Sequence, residues 1–169
     1  MLFRSLWGDL AHDDAAKALN SVLKLTAAPR QSVPLLSERL KPAARIHPRK
    51  IAGWIGDLES EKYAVRQAAA ANLLKIGEQA VPALRKVLAS SPPLETRKRV
   101  EELLEKLTGG TLTAEQLRLI RAVEALERIG TPEARQVLRT LAQGAPGALP
   151  TREAETALNR LAGPPAPQP

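Results

Sequence analysis

The chain contains no cysteine. A disulfide framework, a thiolate metal site and a cysteine nucleophile are therefore excluded. Aromatic residues are nearly as scarce, with two Trp, one Tyr and one Phe in 169 residues. β-Branched residues are also sparse, so strands have little to build from. Histidine occurs twice, at His12 and His47, and neither has a second ligand at helical spacing, so a metal site lacks its donors. No apolar run approaches the roughly 20 residues that span a bilayer. The start, Met1-Leu2-Phe3-Arg4-Ser5-Leu6-Trp7, is short and soon followed by Asp9, which does not suit a signal peptide. These absences set the expectation of a cytoplasmic protein with no membrane association, no metal and no cofactor.

What is present favours helices. Alanine and leucine dominate the apolar residues, and arginine and glutamate the charged ones, all strong helix formers. The expected fold class is all-α. The length suits one domain with a substantial core, placed at residues 1–162. The tail Gly163-Pro164-Pro165-Ala166-Pro167-Gln168-Pro169 has nothing to bury and is expected to be disordered.

Helix punctuation is legible. Ser60 is expected to cap a helix running to Ile76, with Gly77 as a left-handed stop. Ser91-Pro92 is expected to open another, because proline suits the first helical position. Thr113 and Gln116 form a capping box for a helix ending at Gly130. Thr131-Pro132-Glu133 opens the next, which Gly144 closes, and Thr151 is expected to start the last, which ends at Gly163. Val100, Leu103, Leu104 and Leu107 make an apolar stripe at helical spacing, and Glu95 and Arg99 can pair on the opposite side. Leu119, Ile120, Val123, Leu126 and Ile129 give a broader face, suited to packing between two neighbours. Near the start, Leu2, Phe3, Leu6 and Trp7 are expected to dock onto Leu10 and Leu19, with a partner anchor or the remnant of a junction to an upstream domain as the alternatives.

Internal repetition is the most informative feature. Gln31-Ser32-Val33-Pro34-Leu35-Leu36 recurs 48 residues later as Gln79-Ala80-Val81-Pro82-Ala83-Leu84. Leu73-Leu74-Lys75-Ile76-Gly77 is echoed by Leu126-Glu127-Arg128-Ile129-Gly130. Ala122, Ala125, Leu126 and Arg128 are echoed 32 residues later by Ala154, Ala157, Leu158 and Arg160. Periods of this size, each holding two helices, point to stacked helical hairpins. One hairpin cannot cover its own apolar face, so neighbours stack and share a core.

The stretch Tyr63-Ala64-Val65-Arg66-Gln67-Ala68-Ala69, through Leu73 to Gly77, resembles the first helix of a HEAT repeat. Leu126-Glu127-Arg128-Ile129-Gly130-Thr131-Pro132-Glu133-Ala134 resembles the shorter HEAT-like variant of phycobilisome-lyase-type repeats. The order of segments from Leu6 to Leu161 is similar to the C-terminal α-helical region of planctomycete WD-repeat proteins, without the propeller, since Trp-Asp and Gly-His blade signatures are missing. The resemblance implies an α-α superhelix, a short HEAT-like solenoid, and a role in scaffolding or partner binding. That functional step is fold-level analogy.

Constellations for catalysis are few. Adjacent Asp13 and Asp14 suit a helix start better than a carboxylate pair. Gly109-Gly110 lacks the Lys-Ser/Thr of a phosphate loop and separates two helices. The chain is therefore read as non-catalytic. The net charge of +7 suggests either an acidic partner or surface decoration, and interleaved acidic residues favour decoration. The exception is residues 30–50, where six basic residues face Glu38 alone. The candidate binding surface is Arg39, Lys41, Arg45, Arg49, Lys50, Arg85 and Lys86, with Arg39 near the ridge of Arg85-Lys86. The expected partner is another protein. The alternative is nucleic acid bound through the basic segment 30–50, although the nearby aromatics, Trp54 and Tyr63, are expected to be buried rather than stacked on bases.

Overall fold

The computed structural model describes residues 2–163, apart from the side chain of Leu2. Among them the elements are α1 (Leu2–Asp9), α2 (Ala15–Ala27), α3 (Pro29–Arg39), α4 (Pro48–Asp57) and α5 (Tyr63–Ile76). A 3-10 turn (Gly77–Ala80) leads into α6 (Val81–Ala89), followed by α7 (Leu94–Thr108), α8 (Ala114–Ile129), α9 (Pro132–Ala142) and α10 (Leu149–Ala162). No strand occurs among the described residues. The fold is all-α, as expected. Apart from Gly163, the expected Pro-rich tail lies outside the described residues.

Several caps act as the sequence suggests. Thr113 and Gln116 exchange both bonds of the capping box, at 2.8 and 3.2 Å, and Gly130 ends α8 in the left-handed conformation. Thr131 caps α9 through the Ala134 N–H at 3.3 Å. Three starts differ. α5 begins at Tyr63 rather than after Ser60, because the Arg66 guanidinium donates to the carbonyls of Ser60 and Glu61 at 2.7 and 2.8 Å and holds them outside the helix. Ser91 takes a positive φ of 53°, so α7 waits until Leu94, after both prolines. Thr151 lies inside α10, which starts at Leu149 with Pro150 in its first turn. Gly77 has the expected positive φ (63°) but an extended ψ, and leads into a 3-10 turn rather than a left-handed cap.

The chain forms two compact units. The first, here the split unit, combines residues 1–44 with 112–169; the second, the continuous unit, is Arg45–Thr111. In the split unit, α8 packs against α2 and α3 on one side and α9 and α10 on another. Its core joins Leu6, Leu10, Val22, Leu25 and Leu36 to Val123, Leu126, Leu138 and Leu141. The broad apolar face of α8 thus serves two sets of neighbours, and one set comes from the far end of the sequence. The hairpin α2/α3 therefore stacks on α8/α9. In the continuous unit, α4 to α7 enclose Ile51, Leu58, Leu73, Leu84, Val100 and Leu103.

One register runs through three hairpins. Ser21, Leu25, Ser32 and Leu36 in α2/α3 occupy the positions of Ala69, Leu73, Ala80 and Leu84 in α5/α6, and of Ala122, Leu126, Ala134 and Leu138 in α8/α9. All twelve are buried. Small residues at the first and third positions let the two helices approach, and the leucines fill the space between layers. The first hairpin departs by placing serine where the others have alanine. The Ser32 hydroxyl is buried with no hydrogen-bond partner among the described residues. Ser32→Ala is therefore expected to stabilise the protein by about 1 kcal/mol, read as a higher urea midpoint with an unchanged slope. A lower midpoint would mean that the hydroxyl has a partner after all.

The first helix docks largely as expected. Leu6 and Leu10 are buried, and Phe3 and Trp7 pack against the core. Leu19 does not take part: it is 48% exposed, and Leu23 one turn on is 49% exposed. The buried face of α2 is Ala18, Ser21, Val22 and Leu25, which turns Leu19 and Leu23 outward.

Candidate binding surface

Arginine has two roles in this protein, and separating them locates the surface. Some arginines are internal clamps on carbonyls at helix ends, which carry partial negative charge and lack intrahelical donors. Arg121 of α8 donates to the carbonyls of Leu10 and His12 at 2.7 and 2.8 Å, closing the end of α1. Arg99 of α7 donates to the Leu58 carbonyl at 3.2 Å, just past α4, and Thr96 beside it donates to Glu59. Arg135 donates to the Gly130 carbonyl at 3.0 Å. Others sit in ion pairs: Arg160 with Glu127 through two bonds of 2.7 Å, Arg128 with Glu124 and Arg118 with Glu115; Arg99 does both, also pairing with Glu95 as its spacing suggests. The Glu127 partner holds the Arg160 guanidinium even more firmly protonated than usual. Much of the positive charge therefore serves the fold. Arg121→Met is expected to cost roughly 1–3 kcal/mol, because two carbonyls lose a charged donor. Urea denaturation checks it, and an unchanged midpoint would remove the clamp argument.

The seven candidate residues are all exposed. Arg39 and Lys41 belong to the split unit, and Lys41 donates to the Ser37 carbonyl at the end of α3. Arg45, Arg49, Lys50, Arg85 and Lys86 belong to the continuous unit. In the shared register Arg39 aligns with Val87, whereas Arg85 and Lys86 align with Ser37 and Glu38, so the repeat does not give Arg39 their position. Arg49 and Lys50 stand in the first turn of α4, capped by His47, whose Nδ1 accepts the Arg49 N–H at 3.2 Å. The Lys50 ammonium lies 5.3 Å from the centre of the Trp54 ring, which is partly buried against the core. Tyr63 departs from expectation: it is 66% exposed because it starts α5 on the solvent side. One face of its ring is taken by Arg66, at 5.7 Å.

Concavities form within both units. In the split unit, a cleft of about 860 Å³ lies between the α2–α3 turn (Ala28, Pro29, Val33, Pro34) and the start of α9 (Thr131, Glu133). In the continuous unit, a groove of about 420 Å³ runs between α4 and α6. Its walls are Pro48, Ala52 and Ile55 on one side and Ala83, Lys86 and Val87 on the other. The pairing of α4 with α6 was not legible in the sequence.

The remaining polar candidates serve the backbone. His12 Nδ1 accepts the Asp14 N–H at 3.0 Å, and Asp14 caps α2. The N–H groups of Lys17 and Ala16 hold the Asp14 carboxyl below its ordinary range. The cap is thus charged at neutral pH, and its contribution is lost only as acid protonates it. No group of three or more His, Cys, Asp or Glu side chains that could hold a metal occurs among the described residues. None of their helices is long and apolar enough to cross a membrane.

Antiparallel helical hairpins that bury the same four positions define a helical-repeat protein. The family model for the PBS lyase HEAT-like repeat matches twice, over residues 65–90 and 119–144, which are the hairpins α5/α6 and α8/α9. The chain thus carries two HEAT-like repeats, within an all-helical repeat fold. The hairpin α2/α3 lies outside those matches yet shares their register, with Ala28-Pro29 making its turn where the others have Gly77 and Gly130. No curated protein and no solved structure matches the chain.

Proposed function

We propose that this protein is a non-catalytic interaction scaffold, residues 1–162 acting as one repeat domain in the cytoplasm, with another protein as its ligand. The observation that carries this reading is the division of each hairpin. A fixed set of small and leucine residues is spent on the core, and the outer faces are left to vary. On α6 that outer face bears Arg85 and Lys86 with no acidic residue. HEAT-like repeats commonly act in this way, and binding needs no group beyond those exposed here. The test is association of the purified chain with proteins crosslinked to it in its own cells, repeated after nuclease treatment. Saturable binding to a purified partner that survives nuclease is the expected result. Association that vanishes with nuclease would sink the reading.

A second reading is nucleic-acid binding through segment 30–50, favoured by the exposure of Arg39, Lys41, Arg45, Arg49 and Lys50. Fluorescence anisotropy against mixed-sequence DNA and RNA decides it. Affinity that falls steeply with salt reports released counterions and several phosphate contacts. Arg39→Glu, Arg45→Glu and Lys50→Glu together should then abolish it, and unchanged affinity in that triple variant would remove the second reading.

A further inference from the structure

We propose that the groove between α4 and α6 is the docking site for an amphipathic helix of a partner protein, with acidic residues flanking its apolar face. This inference rests on the scaffold reading and names the partner's chemistry.

The groove floor is apolar and open. Pro48, Ala52 and Ile55 recur along α4 at intervals of four and three residues, as Ala83 and Val87 do one turn apart along α6. Pro48 to Ile55 covers about 10 Å of helix at 1.5 Å per residue, or two turns. Two helix walls with apolar residues at these spacings accept the side chains of a third helix laid between them. Ala52 and Pro48 are exposed, and Ile55, Ala83 and Val87 are half-buried, so the core of the continuous unit does not use this surface up.

The charged residue that lines the groove is basic, and its neighbours on the two helices are basic as well. Lys86 lines the groove. Arg49 lies on α4 one turn before Ala52, and Arg85 precedes Lys86 on α6. The acidic residue on α4 is Asp57, at its last position, and α6 has none. The other acidic residues of the continuous unit lie in the α4–α5 connection (Glu59, Glu61), in the 3-10 turn (Glu78) and on α7, where Glu95, Glu101, Glu102 and Glu105 offset the basic ones. Arg49, Arg85 and Lys86 have no acidic partner among the described residues, in contrast to Arg99, Arg128 and Arg160. Cations left unpaired around an apolar floor complement glutamate or aspartate flanking a leucine stripe. A polyphosphate backbone would meet the cations but leave the floor unused, and no aromatic ring lines the groove for bases to stack on. The cleft in the split unit lacks this complementarity, because Arg30 and Glu133 both line it.

The experiment is a fluorescence-anisotropy titration of the full chain with a fluorescein-labelled peptide bearing leucine along one helical face and glutamate along the other. A peptide of the same composition in scrambled order and a mixed-sequence oligodeoxynucleotide serve as comparisons. The amphipathic peptide should bind, and the scrambled one should bind far more weakly. Arg49→Glu with Lys86→Glu should weaken binding about tenfold or more. Ala52→Arg is the discriminating variant. It adds positive charge but fills the floor, so docking predicts weaker binding whereas charge alone predicts tighter. These positions are exposed, and circular dichroism verifies that the variants fold. The inference is overturned by equal binding of the scrambled peptide, by tighter binding to Ala52→Arg, or by no peptide binding at protein concentrations up to about 100 μM. Peptide binding that ignores all three substitutions sinks the groove but leaves the scaffold reading standing. Binding of the oligodeoxynucleotide with none of either peptide sinks both.

Discussion

Gly144→Val is expected to destabilise the protein by roughly 3 kcal/mol or more. A Cβ at this position would lie 2.6 Å from Thr151 Oγ1, 2.9 Å from the Ala43 nitrogen and 3.1 Å from the Leu141 carbonyl oxygen. The threonine hydroxyl could rotate away, but the other two are backbone atoms. Ala43 is also tied in place, because its carbonyl accepts the Ala145 N–H at 2.9 Å. Gly144 has no positive φ, so the requirement here is space rather than backbone freedom. The segment after α3 thus approaches the end of α9 at a point where any side chain intrudes. Gly53 in α4 provides the contrast: a Cβ there meets nothing within 4 Å. Gly53→Ala should therefore raise stability by about 0.5–1 kcal/mol through helix propensity. Urea denaturation of the two variants should move the midpoint in opposite directions. An unchanged midpoint for Gly144→Val would refute the close approach.

Leu126→Ala is expected to cost roughly 3–5 kcal/mol. Leu126 is fully buried on α8, the helix that packs against both the α2/α3 hairpin and α9 and α10. The cavity would open between layers whose backbones are held by several other contacts, which limits collapse. The effect should be non-local in sequence. Hydrogen exchange should show amide protection falling in α2 and α3 as well as in α8 and α9, since both ends of the chain share this core. Protection retained in α2 and α3 would mean that they form a stable unit without α8.

Helix identity and most helix ends were legible because their causes are local. The Thr113–Gln116 box, the Thr131 cap and the Gly130 stop each depend on atoms within four residues of one another. Two of the misplaced starts share a cause as well. Ser60 was displaced by Arg66 binding the neighbouring carbonyls, and Ser91 by a positive φ ahead of two prolines. Both are competitions between an allowed cap and a better use of the same backbone. The candidate surface was legible only as a list of cations. Arg85 and Lys86 read the same as Arg97, Lys98 and Arg99, and spacing alone does not reveal that Arg99 is an internal clamp.

By itself the sequence determined that the chain is helical, that it repeats, and which repeated positions of the hairpins face inward. Periodicity and repetition express these directly, and the buried register of the three hairpins follows the echoes from Ser32 to Ala80 and from Leu73 to Leu126. Only the tertiary structure decided which hairpin stacks on which, and so joined α2 and α3 to α8 across the continuous unit in sequence. It also decided that Tyr63 and Leu19 face solvent, that Arg121 closes α1, and that α4 and α6 frame a groove. The physical reason is shared. Apolar faces built from alanine and leucine are nearly interchangeable as packing partners, and a backbone carbonyl that accepts a guanidinium leaves no mark on residue type.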